Sequence, residues 1–222
     1  MYKKNAENYI ISTILFLSFI VFTFLIKTVD VQSIGPNNSS VGLASANECI
    51  RNIVDYNFLW YTITDWLGIT AILTAFSFTV LGLCQCIHRK SLKKVDSDIL
   101  LLGLFYFSII TCYSFFEKVI INYSPVLMNG CLKVSYPSSH TMIVVCIMGT
   151  AMIQFKYRLK NKILLQIIEI FSALIILVTV TGRIISGVHW FTDIVGGLLL
   201  ALSLTGFYYS GFKQLAKNQD VR

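Results

Sequence analysis

Six apolar runs, separated by short polar segments, dominate the chain. They are Tyr9 to Ile26, about Phe58 or Trp66 to Ile87, Ile99 to Phe116, Thr141 to Phe155, Ile163 to Thr181, and Trp190 to about Phe212. A helix needs about 20 mainly apolar residues to cross a bilayer. The pattern therefore predicts an all-α integral membrane bundle of six transmembrane helices, forming one domain over residues 1–222. The fourth run is short, so its helix is expected to extend beyond the charge-free residues. The first run is longer than an ordinary signal-peptide core and is followed by no convincing small-residue cleavage site, so it reads as a retained span.

The segments between the runs refine this picture. Residues 28–57 form an outer loop. Its Ile34-Gly35-Pro36-Asn37-Asn38-Ser39-Ser40 stretch has turn chemistry. Beyond it, Ile50, Ile53, Val54 and Phe58 recur at helical spacing beside Arg51, Asn52 and Asp55, which suggests a short interfacial helix, with an ordered loop as the alternative. Trp60, Tyr61 and Trp66 resemble an aromatic belt at the membrane–water boundary. Glu169 lies inside the fifth run and reads as a carboxylate reaching toward the inner interface or a neighbouring helix, rather than as a proton relay.

Composition and charge agree with a membrane protein. The 222 residues are 55% hydrophobic and only 13% charged, whereas soluble domains carry roughly 25% charged residues. The net charge of +7 does not point to nucleic acid, because the cations sit in short clusters between apolar runs. Lys3, Lys4, Arg89, Lys90, Lys93, Lys94, Lys156, Arg158, Lys160, Lys162, Lys213, Lys217 and Arg222 fall on one side of the six-span arrangement. Lys27, Arg51, Lys118, Lys133 and Arg183 fall on the other. Basic loops face the cytoplasm, which places both termini inside. A compact chain of this kind suits a bacterial inner (plasma) membrane. The six cysteines show no metal-binding array, and only Cys49 and Cys131 share the outer side, where a disulfide between them is one option.

The chemistry concentrates in Gly182-Arg183-Ile184-Ile185-Ser186-Gly187-Val188-His189-Trp190-Phe191-Thr192-Asp193, on the rim of two apolar runs. Ionisable groups at membrane depth are costly and are functional candidates by default. His189 and Asp193 are four residues apart, which on a helix puts them on one face. The carboxylate then accepts the Nδ1 proton and leaves Nε2 free as base or nucleophile. Gly187 permits a sharp turn between Arg183 and His189, so the three groups converge on one small anion.

Arg183, His189 and Asp193 at this spacing resemble the third signature motif of the type 2 phosphatidic acid phosphatase family of membrane lipid phosphatases. Tyr136-Pro137-Ser138-Ser139-His140 is similar to the second motif, Pro-Ser-Gly-His, with Ser139 in place of Gly. Lys118 and Ser124-Pro125 resemble a degenerate first motif, in which Ser124 stands where the family has Arg and Lys118 lies one residue closer to the Pro. The motif-bearing half spans residues 117–212. The related vanadate-dependent haloperoxidases are soluble, which this chain is not.

The resemblance implies hydrolysis of a lipid phosphate or isoprenoid diphosphate at the extracytoplasmic face, with no metal and no cofactor. His189 would be the nucleophile and Asp193 would orient it. His140 would be the acid. Lys118, Arg183, the Ser138 hydroxyl and the Ser139 backbone N–H would hold phosphate oxygens. Lys133 is a candidate for the charge lost at Ser124, because a rigid two-pronged guanidinium clamp is something Ser cannot imitate. The alternative is a catalytically impaired homologue that binds or moves phospholipids; a channel or ion carrier would rest on Glu169 alone. No spacing in the chain fixes the oligomeric state.

Overall fold

The computed structural model describes residues 2–128 and 130–220, with side chains described for 5–128 and 130–217. The side chains of Lys3 and Lys4, and the whole of Arg222, lie outside the described residues. Among these residues seven α-helices follow one another: α1 (Tyr2–Thr28), α2 (Ala44–Arg51), α3 (Phe58–Arg89), α4 (Ser97–Lys118), α5 (Ser139–Arg158), α6 (Lys162–Ile185) and α7 (Phe191–Asp220). Among the described residues, pairing outside the helices is limited to isolated bridges such as Gln32 with Val41 and Tyr123 with Val134.

Local chemistry sets several boundaries. The Asn57 side chain accepts the Trp60 N–H and opens α3; the Asn161 side chain accepts the Ile163 and Leu164 N–H groups and opens α6. Each satisfies amide donors that the first helical turn leaves unpaired. Lys90, in the left-handed conformation at φ 53°, closes α3. The Pro36–Asn38 segment forms a 3-10 turn.

The six long helices alternate in direction. Near one end the Asn57 N–H donates to the Ser186 carbonyl, joining the start of α3 to the end of α6. At the opposite end Arg89, Asp96 and Arg158 meet, joining the end of α3, the start of α4 and the end of α5. Helix α5 is the axis of the bundle, touching α3, α4, α6 and α7, while α1 packs along α7. Small side chains admit close helix approach: a Cβ at Gly149 of α5 would lie 3.2 Å from Thr205 of α7. The outer surface is apolar, with Ile163, Ile167, Ile170, Phe171, Leu174 and Leu177 exposed along α6.

Among the described residues, five helices are long and apolar enough to cross a membrane: 5–28, 58–89, 97–118, 162–185 and 191–217. The chain is an integral membrane protein. The expected sixth span is the one that differs. Helix α5 extends beyond its charge-free run at both ends, as expected, but by length and composition it does not join the five. It carries Thr141, Thr150 and Gln154, all fully buried against protein. A helix surrounded by other helices has less need of an apolar surface than one facing lipid. The helix in the outer loop also lies upstream of the expected apolar residues. It ends at Arg51, and its Asn47 side chain donates to Thr192 at the start of α7. All six cysteines are free, Cys49 and Cys131 included.

The end opposite the candidate motifs is held by a polar cluster. Arg158 donates to Asp98 and to Asp96, the latter at 3.4 Å, and its Nε donates to Gln154 Oε1 at 3.0 Å. Partial burial, which would raise the Asp96 pKa, is outweighed by hydrogen bonds from Arg89 and Gln85 and by the nearby guanidinium charges, so Asp96 titrates below the usual carboxylate value. Asp98 is buried. Removing one partner of a buried ion pair strands the other charge and costs about 3–5 kcal/mol. Arg158→Ala is expected to destabilise the protein by about 3 kcal/mol, at the low end of that range because Arg158 is partly exposed. A thermal melt in detergent measures this, with Asp98→Asn/Arg158→Met as the paired control that should recover part of the loss.

Candidate active site

The third motif begins where α6 ends. Gly187 adopts φ +64°, a conformation that favours glycine, and a Cβ there would press against the Asp55 carbonyl oxygen at 3.1 Å. The turn it makes carries the chain from α6 through Val188 and His189 into α7. Its carbonyl accepts the Arg51 Nη1–H at 3.2 Å, and the Arg51 guanidinium lies 5.8 Å from the Trp190 ring centroid. Burial lowers the Arg51 pKa against an opposing effect of Asp55. The short α2 therefore covers and braces the motif loop.

His189 is not on the helix. It precedes α7, which starts at Phe191, while Asp193 lies in the first turn. The expected same-face stacking does not occur. The two are nevertheless close: His189 Nδ1 is 3.7 Å from Asp193 Oδ2, and this nitrogen has no hydrogen-bond partner among the described residues. The distance is too long for a hydrogen bond, and catalytic hydrogen bonds are often long in unliganded sites. Asp193 is fully buried and held from two sides. Its Oδ2 accepts the Trp190 N–H at 3.0 Å, a reach-back to the residue before the helix, and its Oδ1 accepts from Asn122 Nδ2 at 3.2 Å. The neighbouring Thr192 N–H donates to Asn47 Oδ1 at 3.1 Å.

The second motif is tied to the third through the backbone. The Ser138 N–H donates to the Asp193 carbonyl at 2.9 Å. Ser138 is fully buried, and its hydroxyl accepts from Thr141 Oγ1 at 3.1 Å. Helix α5 starts at Ser139, so Ser139 and His140 occupy a helix N-terminus, where unpaired amide groups and the helix dipole favour an anion. Ser139 and His189 line one narrow cleft of about 20 Å³, together with Pro137, Tyr113 and Glu117.

Arg183 and His140 meet on a residue that the sequence reading did not select. Asp65 Oδ1 accepts a hydrogen bond from Arg183 Nη2 and lies 3.1 Å from His140 Nε2. Packing explains why these three come together. A Cβ at Gly182 would lie 2.6 Å from Thr64 Cγ2, so Gly182 brings α6 against α3 beside Arg183. A Cβ at Gly68 would lie 3.2 Å from the His140 ring. The Tyr61 ring centroid is 5.2 Å from the Arg183 guanidinium carbon, within cation–π range. The signal for Asp65 was present in the chain, as a lone carboxylate inside an apolar run. Its neighbours Tyr61 and Trp66 drew the segment into an aromatic-belt reading instead.

The candidate first motif is only partly gathered in. Lys118 is the last residue of α4; it is exposed and makes no hydrogen bond or ion pair among the described residues. Ser124 is buried, and its hydroxyl donates to the Val188 carbonyl at 2.9 Å, next to His189. The Ser124 N–H donates to the Lys133 carbonyl at 2.8 Å, which places the Lys133 backbone beside Ser124 while its side chain is exposed. Ser124 thus pins the loop to the third motif. Asn122, Asn47 and Arg51 belong to no motif and could be found only through tertiary contacts.

The family model of the PAP2 superfamily matches residues 105–217, which contain all three candidate motifs. No curated protein matches the chain. Among solved structures, the fold is similar to the crystal structure of the first transmembrane PAP2 type phosphatidylglycerolphosphate phosphatase from Bacillus subtilis, with a TM-score of 0.65 and 20% sequence identity. The likeness covers 91% of this chain and 96% of that one.

Proposed function

Because the chain belongs to the PAP2 superfamily, we propose that it hydrolyses an amphiphilic phosphate ester or diphosphate, such as phosphatidate, phosphatidylglycerophosphate or a polyprenyl diphosphate. The observation that carries this reading is the convergence of Arg183 and His140 on a single oxygen position beside the loop that bears His189.

His189 Nε2 attacks phosphorus. The P–O bond to the leaving group breaks, and the departing oxygen takes a proton from His140. Arg183 and the amide groups at the start of α5 stabilise the charge on the equatorial oxygens, where positioning and electrostatics do most of the work in phosphoryl transfer. Asp193 closes on His189 Nδ1–H and steadies the phosphohistidine. Water then attacks phosphorus and gives its proton to His140, and the P–N bond breaks to release phosphate and restore His189. The Ser138 hydroxyl, which accepts from Thr141 and keeps its own proton, donates to a phosphate oxygen together with the Ser139 N–H. Lys118 and Lys133 reach the phosphate by side-chain movement from their exposed positions. Neither a metal ion nor a cofactor takes part.

All six long helices cross the membrane in this account. The basic loops at Arg89–Lys94 and Lys156–Lys162 mark the cytoplasmic side, with both termini. The site then opens outward, in a bacterial plasma membrane.

Phosphate release from these three lipids, by detergent-purified protein in the presence of a chelator, tests the proposal. Chelator-resistant release is expected. A second reading, an impaired homologue that binds or moves phospholipids, is favoured by Ser124, whose hydroxyl is spent on Val188 where the family carries a guanidinium. Ser124→Arg separates the two. A gain of about tenfold or more, the scale of a charged hydrogen bond of roughly 1.5–3 kcal/mol, makes the clamp the missing part. No release by either protein favours the second reading.

A further inference from the structure

Asp65 sits where the proposed reaction needs an anion. Arg183 is 1% exposed and its Nη2 donates to Asp65 Oδ1. The same oxygen lies 3.1 Å from His140 Nε2. These are the two groups that, under the proposed function, take a phosphate oxygen and protonate the leaving oxygen. The carboxylate therefore stands against both donors at once. The Arg183 Nε is also buried and has no hydrogen-bond partner among the described residues. A second donor edge of the same guanidinium is thus left for a ligand.

A buried guanidinium at membrane depth needs a compensating charge at all times. A substrate supplies one only while it is bound. Asp65 supplies one in its absence. The two partners differ in freedom. The Arg183 side chain is 1% exposed and packed against Tyr61, whereas the Asp65 side chain is 35% exposed. When a phosphoryl group arrives, Asp65 is the group that can swing aside into water.

We propose that Asp65 is a displaceable counter-ion of the phosphate site: it neutralises Arg183 in the empty protein, yields the Arg183 and His140 donors to an entering phosphoryl group, and returns to expel inorganic phosphate. This rests on the reading of the site as a phosphatase. Competition from the carboxylate weakens every anion at the site. A lipid substrate offsets that loss through its apolar tail, and the free phosphate product has nothing to offset it. The carboxylate thereby favours substrate over product.

Binding of inorganic phosphate to the full-length protein in detergent, by titration calorimetry, tests this. Asp65→Asn removes the competing charge and is expected to bind phosphate about tenfold tighter or more, the effect of removing one like-charge contact of about 1.4 kcal/mol. Asp65→Glu keeps the charge and is expected to bind as weakly as the unaltered protein. If Asp65→Asn is unstable without anion, phosphate in the purification buffer is expected to rescue it and to raise its melting temperature more than that of the unaltered protein. Equal or weaker phosphate binding by Asp65→Asn overturns the proposal, as does failure of phosphate to rescue it. Lipid hydrolysis by the unaltered protein judges the phosphatase reading separately. Hydrolysis without tighter binding in Asp65→Asn removes only the counter-ion role; tighter binding without hydrolysis removes only the phosphatase.

Discussion

His189→Ala is expected to lower phosphate release by about 10³-fold or more while leaving the fold in place, because removing a nucleophile that works within a triad removes nearly all that the triad contributes. The local structure makes this a selective test. Among the described residues the His189 ring carries no hydrogen bond that holds the loop: its Nδ1 lies 3.7 Å from Asp193 without forming one, and the loop is fixed instead by Arg51 on Gly187, by Ser124 on Val188 and by the Trp190 N–H on Asp193. The thermal melt should therefore change little. Single-turnover phosphate release, measured beside a melt, separates lost chemistry from lost structure. Release that stays within about tenfold of the unaltered protein would remove His189 from the reaction.

Arg183→Ala is expected to lose both activity and stability. Arginines that stabilise phosphoryl-transfer transition states contribute about 10³–10⁵ in rate. Here the guanidinium also joins α6 to α3 through Asp65 and the Tyr61 ring. Its removal leaves Asp65 with His140 alone, and the half-buried carboxylate regains some water, so the expected destabilisation is about 1.5–3 kcal/mol, the scale of losing a charged hydrogen bond. Arg183→Lys separates the two losses. Lysine restores the charge to Asp65 but not the planar two-edged donor. It should recover stability in a melt more fully than it recovers turnover, and equal recovery of both would reduce Arg183 to a structural ion pair.

Most of the helix positions were legible because lipid demands uniformly apolar runs. The structure extends most runs by a few residues, as with Ile163–Thr181, which becomes Lys162–Ile185, while the last helix begins one residue late, at Phe191. Helix α5 was legible as a helix but not as the bundle axis, since hydropathy does not say what surrounds a segment. The third motif was found from residue types, yet its local geometry was misread. A four-residue separation suits a helix face, but His189 stands before the helix instead. The glycine at 187, identified as a turn, lets the chain double back there.

Asp65, Asn47 and Asn122 escaped for a different reason. Each acts across the fold: Asp65 on Arg183, Asn47 on Thr192, and Asn122 on Asp193. No short-range pattern announces such pairs. Ser124 was noted only as the loss of a guanidinium, and its tether to Val188 became visible only in three dimensions.

In the proposed reaction His189 carries the phosphoryl group. The most direct measurement is to mix the purified protein with its preferred lipid phosphate, quench with base, digest, and examine the peptide containing His189 by mass spectrometry. The expected result is a phosphorylated His189 that survives base, is lost in acid, and accumulates and decays on the timescale of turnover. Turnover that proceeds with His189 unmodified at every quench time, and with phosphate on another residue, would contradict it.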